Sequence, residues 1–334
     1  MDSILVTEEE NNSRLDRVIK RVLGNINQAL LEKLLRQKLI LVENKKAKSS
    51  QRVKKNQVIS YSNSIVFNKN EKENFISNDD INYYKVLFSK ILIRETKNWI
   101  SINKPNRLAV QGGTKQNFHI DNFLKVNFNN NRNKPKLVHR LDKDTSGLLI
   151  IAKNQVSARN LSKYFKEGKI TKIYYALVSP CPTNQKGVIN TKIVKKNSFS
   201  KNKMFVSDFN GKNAVTKYLI LDKLDKKLAL VALFPITGRT HQLRLHMSHI
   251  GCPILGDKKY SNNDRESKFL DYEKELKLHA AILKIPNEKI LEAKLPSHFK
   301  DAIKYFGLDI KKKKDVYNLL IKDKIENEKT ISII

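Results

Sequence analysis

The order of apolar and polar positions divides the chain into an N-terminal stretch of helical period and a longer stretch dominated by strand-like runs. Leu15, Val18, Ile19, Val22 and Leu23 recur at helical spacing, with Arg14, Arg17, Lys20 and Arg21 mostly off that stripe. This predicts an amphipathic basic helix. A second helix is expected after Asn27, with Ala29, Leu30, Leu31, Leu34 and Leu35 apolar and Lys33, Arg36 and Lys38 exposed. Residues 39–42 and 53–61 read as strands on either side of a basic turn at 45–48. Residues 1–13 are polar and expected to be loose, and residues 63–83, rich in Asn, Lys, Glu and Ser, read as a linker. The module between them spans 14–62.

Beyond the linker, residues 84–92 suit a strand or a short helix, and 99–105 a strand ended by Pro105. The apolar run Leu148, Leu149, Ile150, Ile151 and Ala152 reads as a buried strand, preceded by a charged, turn-prone loop ending in Gly147. A helix over 156–166 closed by Gly168, a strand over 172–178, a basic loop or hairpin over 181–203, and strands over 214–221 and 228–234 follow. Gly238 breaks the last strand, and helical spacing after it places His241 and Arg244 about one turn apart. Residues 276–280 read as a core strand. The main domain is bounded at 84–300, with a basic, solvated extension over 301–334.

Charge changes this picture. Lys and Arg number 65 and Asp and Glu 33, a net charge of +32 over 334 residues. Such an excess points to a polyanionic partner, either nucleic acid or an anionic membrane. A Lys-, Asn- and Ile-rich composition would raise the charge whatever the function, so charge argues for affinity alone. No apolar run approaches the roughly 18 residues that span a bilayer, and the N-terminus leads into Glu8-Glu9-Glu10 instead of a basic-then-apolar signal. A cytoplasmic protein is expected. Cys181 and Cys252 lie far apart without CxxC spacing, which suggests neither a disulfide framework nor a zinc site.

Two stretches carry candidate chemistry. In the first, Asp142 and Asp144 alternate with Lys143, two residues after Arg140, in a loop at the lip of a core; loops on a rigid sheet carry reactive groups disproportionately. Taken alone, Asp followed by Thr-Ser-Gly equally makes an ordinary turn. The second runs from Pro235 to His246. Its two histidines, His241 and His246, stand five apart, do not share one helical face and have no acid between them, which argues against a metal site.

His139-Arg140-Leu141-Asp142-Lys143-Asp144-Thr145-Ser146-Gly147 resembles the signature loop of the RluA-type RNA pseudouridine synthases at nine consecutive positions. Asn103-Lys104-Pro105 with Val110-Gln111-Gly112-Gly113 is similar to the family's first motif, in wording closest to the RluC-like subgroup. Resemblance extends over about residues 84–300, including 251–257 and 276–280. The basic helices and hairpin of 14–62 resemble the alpha-L RNA-binding motif, although Glu43-Asn44-Lys45 stands where a turn glycine is usual.

The resemblance implies an α+β fold with a mixed, mainly antiparallel sheet, flanking helices and a small α/β RNA-binding module at the N-terminus. It implies an isomerase that converts uridine to pseudouridine in bacterial large-subunit ribosomal RNA, acting as a monomer without cofactor, DNA or membrane. Asp142 takes the catalytic position, as nucleophile at the sugar or as base at C2′. Arg244 is its partner, and a nearby cation typically lowers an Asp pKa by about 1 to 3 units. Tyr174, two places after Lys172, would stack on the base and its hydroxyl would help remove the C5 proton; without the family match, core packing accounts for it equally well. Arg140 would fill the space left by the extruded base. His139, Lys143, Arg239 and His241, with Arg14, Arg17 and Arg36 of the module, are expected to contact RNA. An RNA-binding protein with an unused site, and a glycosidic hydrolase with Asp144 as second carboxylate, stand as alternatives.

Overall fold

The structure, a computed structural model, describes residues 2–23, 26–62, 78–112, 119–128, 135–195, 203–261, 272, 274–310 and 316. The chain forms two compact units, residues 1–81 and 82–334.

In the first unit, strands β1 (Asp2–Leu5) and β2 (Ser13–Arg14) precede helices α1 (Leu15–Val22) and α2 (Gln28–Arg36). Strands β3 (Ile40–Val42), β4 (Lys45–Lys46), β5 (Arg52–Val53) and β6 (Val58–Tyr61) follow. Helix α2 starts at Asn27, whose side chain accepts the Leu30 N–H at 2.8 Å. Most of the expected helical stripe is buried, with Leu15, Val18, Ile19, Leu31 and Leu35 beneath a sheet of order β1-β6-β3-β4, whereas Val22 and Leu30 are exposed.

Two expectations are corrected here. Residues 2–5 are not loose but form an edge strand paired along β6, because Ile4 and Val6 alternate inward to the core. The basic turn expected at 45–48 lies earlier, at Glu43 and Asn44, both with positive φ of 50° and 56°. That conformation makes a tight hairpin without glycine, and Lys45 and Lys46 then belong to a strand.

The second unit opens with helix α3 (Asn78–Ile91), then strands β7 (Leu92–Glu95) and β8 (Trp99–Lys104), helix α4 (Ile120–Asn127) and strands β9 (Lys136–Leu137) and β10 (Ser146–Ala152). Helix α5 (Gln155–Lys166) leads to β11 (Thr171–Val178), β12 (Lys186–Lys195), β13 (Met204–Ser207), β14 (Lys212–Leu224) and β15 (Leu228–Pro235). Helix α6 (Gln242–His249), strands β16 (Leu278–Lys284) and β17 (Leu291–Glu292), and helix α7 (Ser297–Tyr305) complete it. The expected linker 63–83 thus ends in helix; its residues 63–77, Gly113, Lys196, Lys201 and Lys311 to Lys314 lie outside the described residues.

Among the described residues the main sheet has eleven strands, in the order β13-β12-β14-β15-β11-β16-β10-β8-β7 with β17 and β9 at its side. Every pairing is antiparallel except that of β10 with β16. This is the α+β, mainly antiparallel architecture expected from sequence. Within the basic stretch expected at 181–203, Lys186–Lys195 forms a strand, in which Ile189 and Ile193 point inward at a period of two.

Alternation along β11 sends Ile173, Tyr175 and Leu177 to one face, where Phe299, Ala302 and Ile303 of α7 cover them. Tyr174, Ala176 and Val178 face the other side, against Leu243 and Met247 of α6. Helix α7 therefore runs across the expected boundary at 300/301, and Phe306, Leu308 and Val316 also enter the core. The start of the supposed solvated extension is core structure, since these apolar residues have a sheet face to cover.

Candidate active site

The loop expected to carry the chemistry joins β9 to β10 and is fixed at both ends. At its entry the half-buried His139 accepts the Ile150 N–H on Nε2 at 2.8 Å and stacks on Phe165, with ring centroids 4.3 Å apart. Burial, with Lys172 adding, pushes its pKa to about 3, so the ring is neutral. His139 thus braces the loop, its Nε2 engaged by the strand that follows, and it also lines the smaller of the two cavities that meet at Asp142.

At the exit, the Ser146 hydroxyl lies 2.8 Å from His279 Nδ1, and His279 Nε2 lies 3.2 Å from the Ala293 carbonyl. A carbonyl only accepts, so Nε2 carries the ring proton and Nδ1 accepts from Ser146. Gly147, at φ +109°, passes so close to β16 that a Cβ there would stand 2.2 Å from the Ala280 oxygen. Beneath the loop the buried Lys104 ammonium donates to the carbonyls of Pro105, Leu108 and Lys143 at 2.8, 2.9 and 3.0 Å. Burial lowers its pKa to about 7, against the attraction of Asp144 and Asp142.

These supports hold Asp142 beneath two donors from the second candidate stretch. Its side chain is 18% exposed, with Oδ2 3.5 Å from Arg244 Nη1 and Oδ1 3.9 Å from His241 Nε2. Arg244 is held in turn by Asp257, whose carboxylate takes Nε at 2.7 Å and Nη2 at 2.6 Å in a two-point clamp. Asp257 Oδ1 also accepts the N–H groups of Lys259 and Tyr260. Burial works against the charge on Arg244, but the hydrogen bonds and charge of Asp257, then the charge of Asp142, raise its pKa and keep it cationic. The expected pairing of Arg244 with Asp142 is present as the longer of two contacts; its main partner is Asp257.

Two cavities meet at this carboxylate, one of about 1160 Å³ and one of about 700 Å³. Arg140, Asp142, Thr240, His241 and Arg244 line both. The larger is walled by cations, among them Arg107, Lys143, Lys195, Lys203 and Lys258, and suits a phosphate backbone. The smaller is of mixed lining, with Lys172 and Arg239 beside Phe165, Tyr174 and Phe234, whose aromatic faces suit a base.

Tyr174 lies in the smaller cavity, as stacking on a base requires. Burial, then the charge of Asp142, raises its pKa, so the hydroxyl holds its proton. This works against the expected help in removing the C5 proton. Arg140 and Lys143 are exposed at the cavity walls, and Arg239 donates from Nε to the Asn213 carbonyl at 3.1 Å. In the first unit Arg17 and Arg36 are exposed, whereas Arg14 is tied to Asp16 at 2.6 Å. His246 sits buried between the hydroxyls of Thr216 and Thr191 at 2.9 and 3.0 Å. Among the described residues no group of three or more His, Cys, Asp or Glu is placed to hold a metal ion. No helix among them is long and apolar enough to cross a membrane.

Sequence reasoning missed Asp257 and Tyr260, which hold Arg244 and His241. Gly256-Asp257 looks like a turn, and the only signal was its place in a segment similar to the family.

Residues 98–249 match the family model described as RNA pseudouridylate synthase. With this fold and this site, the chain belongs to the RNA pseudouridine synthase family, whose members are isomerases. It is 42% identical over 293 residues to the ribosomal large subunit pseudouridine synthase C of Rickettsia bellii (strain RML369-C), covering 86% of this chain and 96% of that protein. It is 38% identical over 239 residues to the ribosomal large subunit pseudouridine synthase D of Borreliella burgdorferi, covering 69% and 71%. Among solved structures, human RNA Pseudouridylate Synthase Domain Containing 4 aligns with a TM-score of 0.59 at 31% identity, covering 69% of this chain and 97% of that one.

Proposed function

We propose that this enzyme isomerises selected uridines of bacterial large-subunit ribosomal RNA, with Asp142 as its catalytic carboxylate. The observation that carries the reading is the partly exposed Asp142 at the meeting of a cationic cleft and an aromatic slot, 3.5 Å from an arginine clamped in its charged form. The relatives named above act, by their names, on the large ribosomal subunit.

In the reaction the C1′–N1 bond breaks, the uracil turns, and C1′ bonds to C5; C5 loses a proton and N1 gains one, so there is no net redox change. A carboxylate in this position can attack C1′ or take the C2′ proton. Tyr174 offers a face on which the detached uracil stays stacked while it turns. Extruding the uridine costs a few kcal/mol, which Arg140, exposed and lining both cavities, offsets by stacking in the vacated space. The exposed cations Arg17, Lys33, Arg36 and Lys38 support the first unit as an added RNA-binding surface. The protein works as a cytoplasmic monomer.

The test is a map of pseudouridine across ribosomal RNA, by carbodiimide adducts that stop reverse transcription, in cells lacking the gene and in cells regaining it. We expect stops that vanish with the gene and return with the intact protein but not with Asp142→Ala, while purified Asp142→Ala still binds RNA. Identical maps would refute the substrate, and full activity of Asp142→Ala would refute the site.

A further inference from the structure

His241 was expected to touch RNA, yet its surroundings give it a different task. It precedes α6 with a left-handed backbone, φ 54° and ψ 18°, a conformation unfavourable for a residue with a side chain. The helix holds it there through the Leu245 N–H, which donates to its carbonyl at 2.9 Å. This backbone aims the ring between two oxygens, the Tyr260 hydroxyl 2.8 Å from Nδ1 and Asp142 Oδ1 3.9 Å from Nε2.

The proton positions follow from counting donors. The Tyr260 oxygen already accepts the Met204 N–H at 2.9 Å, so its own proton is the one to share, and His241 Nδ1 is the acceptor in reach. Burial raises the Tyr260 hydroxyl to about 12, so that proton is present at neutral pH. Burial also lowers His241, more than the attraction of Asp142 raises it, with the cations Arg244 and Lys259 lowering it further and Asp257 opposing them. The ring is thus neutral. With Nδ1 accepting, its single N–H is on Nε2, the atom that faces Asp142.

We propose that His241 is a positioning residue which, held by Tyr260 as the Nε2–H tautomer, presents a neutral donor to Oδ1 of Asp142 while Arg244 presents a charged one to Oδ2. The inference rests on Asp142 being the catalytic carboxylate. Each carboxylate oxygen then has its own donor, and each donor its own anchor: Tyr260 for His241, Asp257 for Arg244. The two directions fix the plane of the carboxylate, and so the direction of the lone pair turned to the ribose. The separations of 3.5 and 3.9 Å are longer than hydrogen bonds, as catalytic contacts often are without substrate.

The test combines kinetics with nitrogen-15 spectroscopy of histidine-labelled enzyme. In the intact protein, the His241 signals should report a protonated Nε2 and a bare Nδ1 at neutral pH, a readout that needs no variant to fold. In single-turnover assays with saturating RNA, His241→Ala should slow the reaction about tenfold, the scale of one hydrogen bond to a charged group, with RNA affinity nearly unchanged. His241→Gln, whose amide N–H falls near the Nε2 position, should restore most of that rate, and Tyr260→Phe should lie between. A packing role alone would give no rescue by glutamine. The inference is overturned by a bare Nε2, by an unchanged rate in His241→Ala, or by a loss confined to RNA affinity. An Asp142→Asn arm separates the two readings: activity there sinks the assignment of Asp142, whereas an inactive Asp142→Asn beside a fully active His241→Ala sinks only the role of His241.

Discussion

Arg244 and Asp257 form a two-point ion pair with side chains 8% and 0% exposed, and the free edge of that guanidinium is what Asp142 meets. A buried arginine without its acid is an uncompensated charge. Asp257→Ala should destabilise the protein by about 3–5 kcal/mol, read as a fall in thermal midpoint. The gentler Asp257→Asn turns an amide N–H toward the guanidinium and loosens its aim. It should slow the chemical step about 10- to 100-fold, with RNA affinity retained, in single-turnover assays.

Gly147 should tolerate no side chain. Its φ of +109° is closed to other residues, and a Cβ would stand 2.2 Å from the Ala280 oxygen and 2.6 Å from its nitrogen, both backbone atoms that cannot turn aside. Gly147→Ala should cost about 3 kcal/mol or more, by separating β10 from β16 or shifting their register. Chemical denaturation of the purified variant checks this.

Stability should fall on mild acidification. His246 and His279 are buried, and burial takes each from an ordinary 6.5 to about 4. Below about pH 6.5 the unfolded chain takes up protons that the folded chain refuses, so stability is full above that pH and is lost on the way down to about pH 4. Each histidine contributes a slope of up to about 1.4 kcal/mol per pH unit. Calorimetry from pH 8 to 4.5 should show the decline, and His246→Gln, which still can bond both threonine hydroxyls, should flatten it.

RNA affinity should be strongly salt-dependent, because the larger cavity is walled by cations. Lys143→Ala and Lys258→Ala should each weaken binding for all RNA sequences. Each should also reduce the slope of log affinity against log salt by about 0.7 for every single-strand phosphate that the lysine neutralises. Titrations at several salt concentrations measure it. Unchanged slopes would remove these lysines from the backbone path.

The two helical stripes, the buried run at 148–152 and the strand around Tyr174 were legible because local period alone defines them. The signature loop was legible through resemblance, and Asp142, Arg244 and Tyr174 do converge. What stayed hidden depends on contacts between distant residues. Asp257 meets Arg244 only once the chain after α6 folds back, and Tyr260 meets His241 by the same return. Lys104 was legible only as part of a motif, yet the carbonyls of Pro105 and Leu108 in the next loop and of the distant Lys143 draw its ammonium inside. The strand at residues 2–5 was obscured by its polar neighbours, since four residues give too short an alternation to stand out.

The parallel neighbours β10 and β16 bring Ser146 to His279 across 133 residues of chain. During synthesis, therefore, a growing polypeptide displays the entire Asp142 loop long before the strand that steadies it has been made. A prematurely terminated product that ends before β16 carries the whole signature but lacks the His279 that holds Ser146 at the exit of the loop.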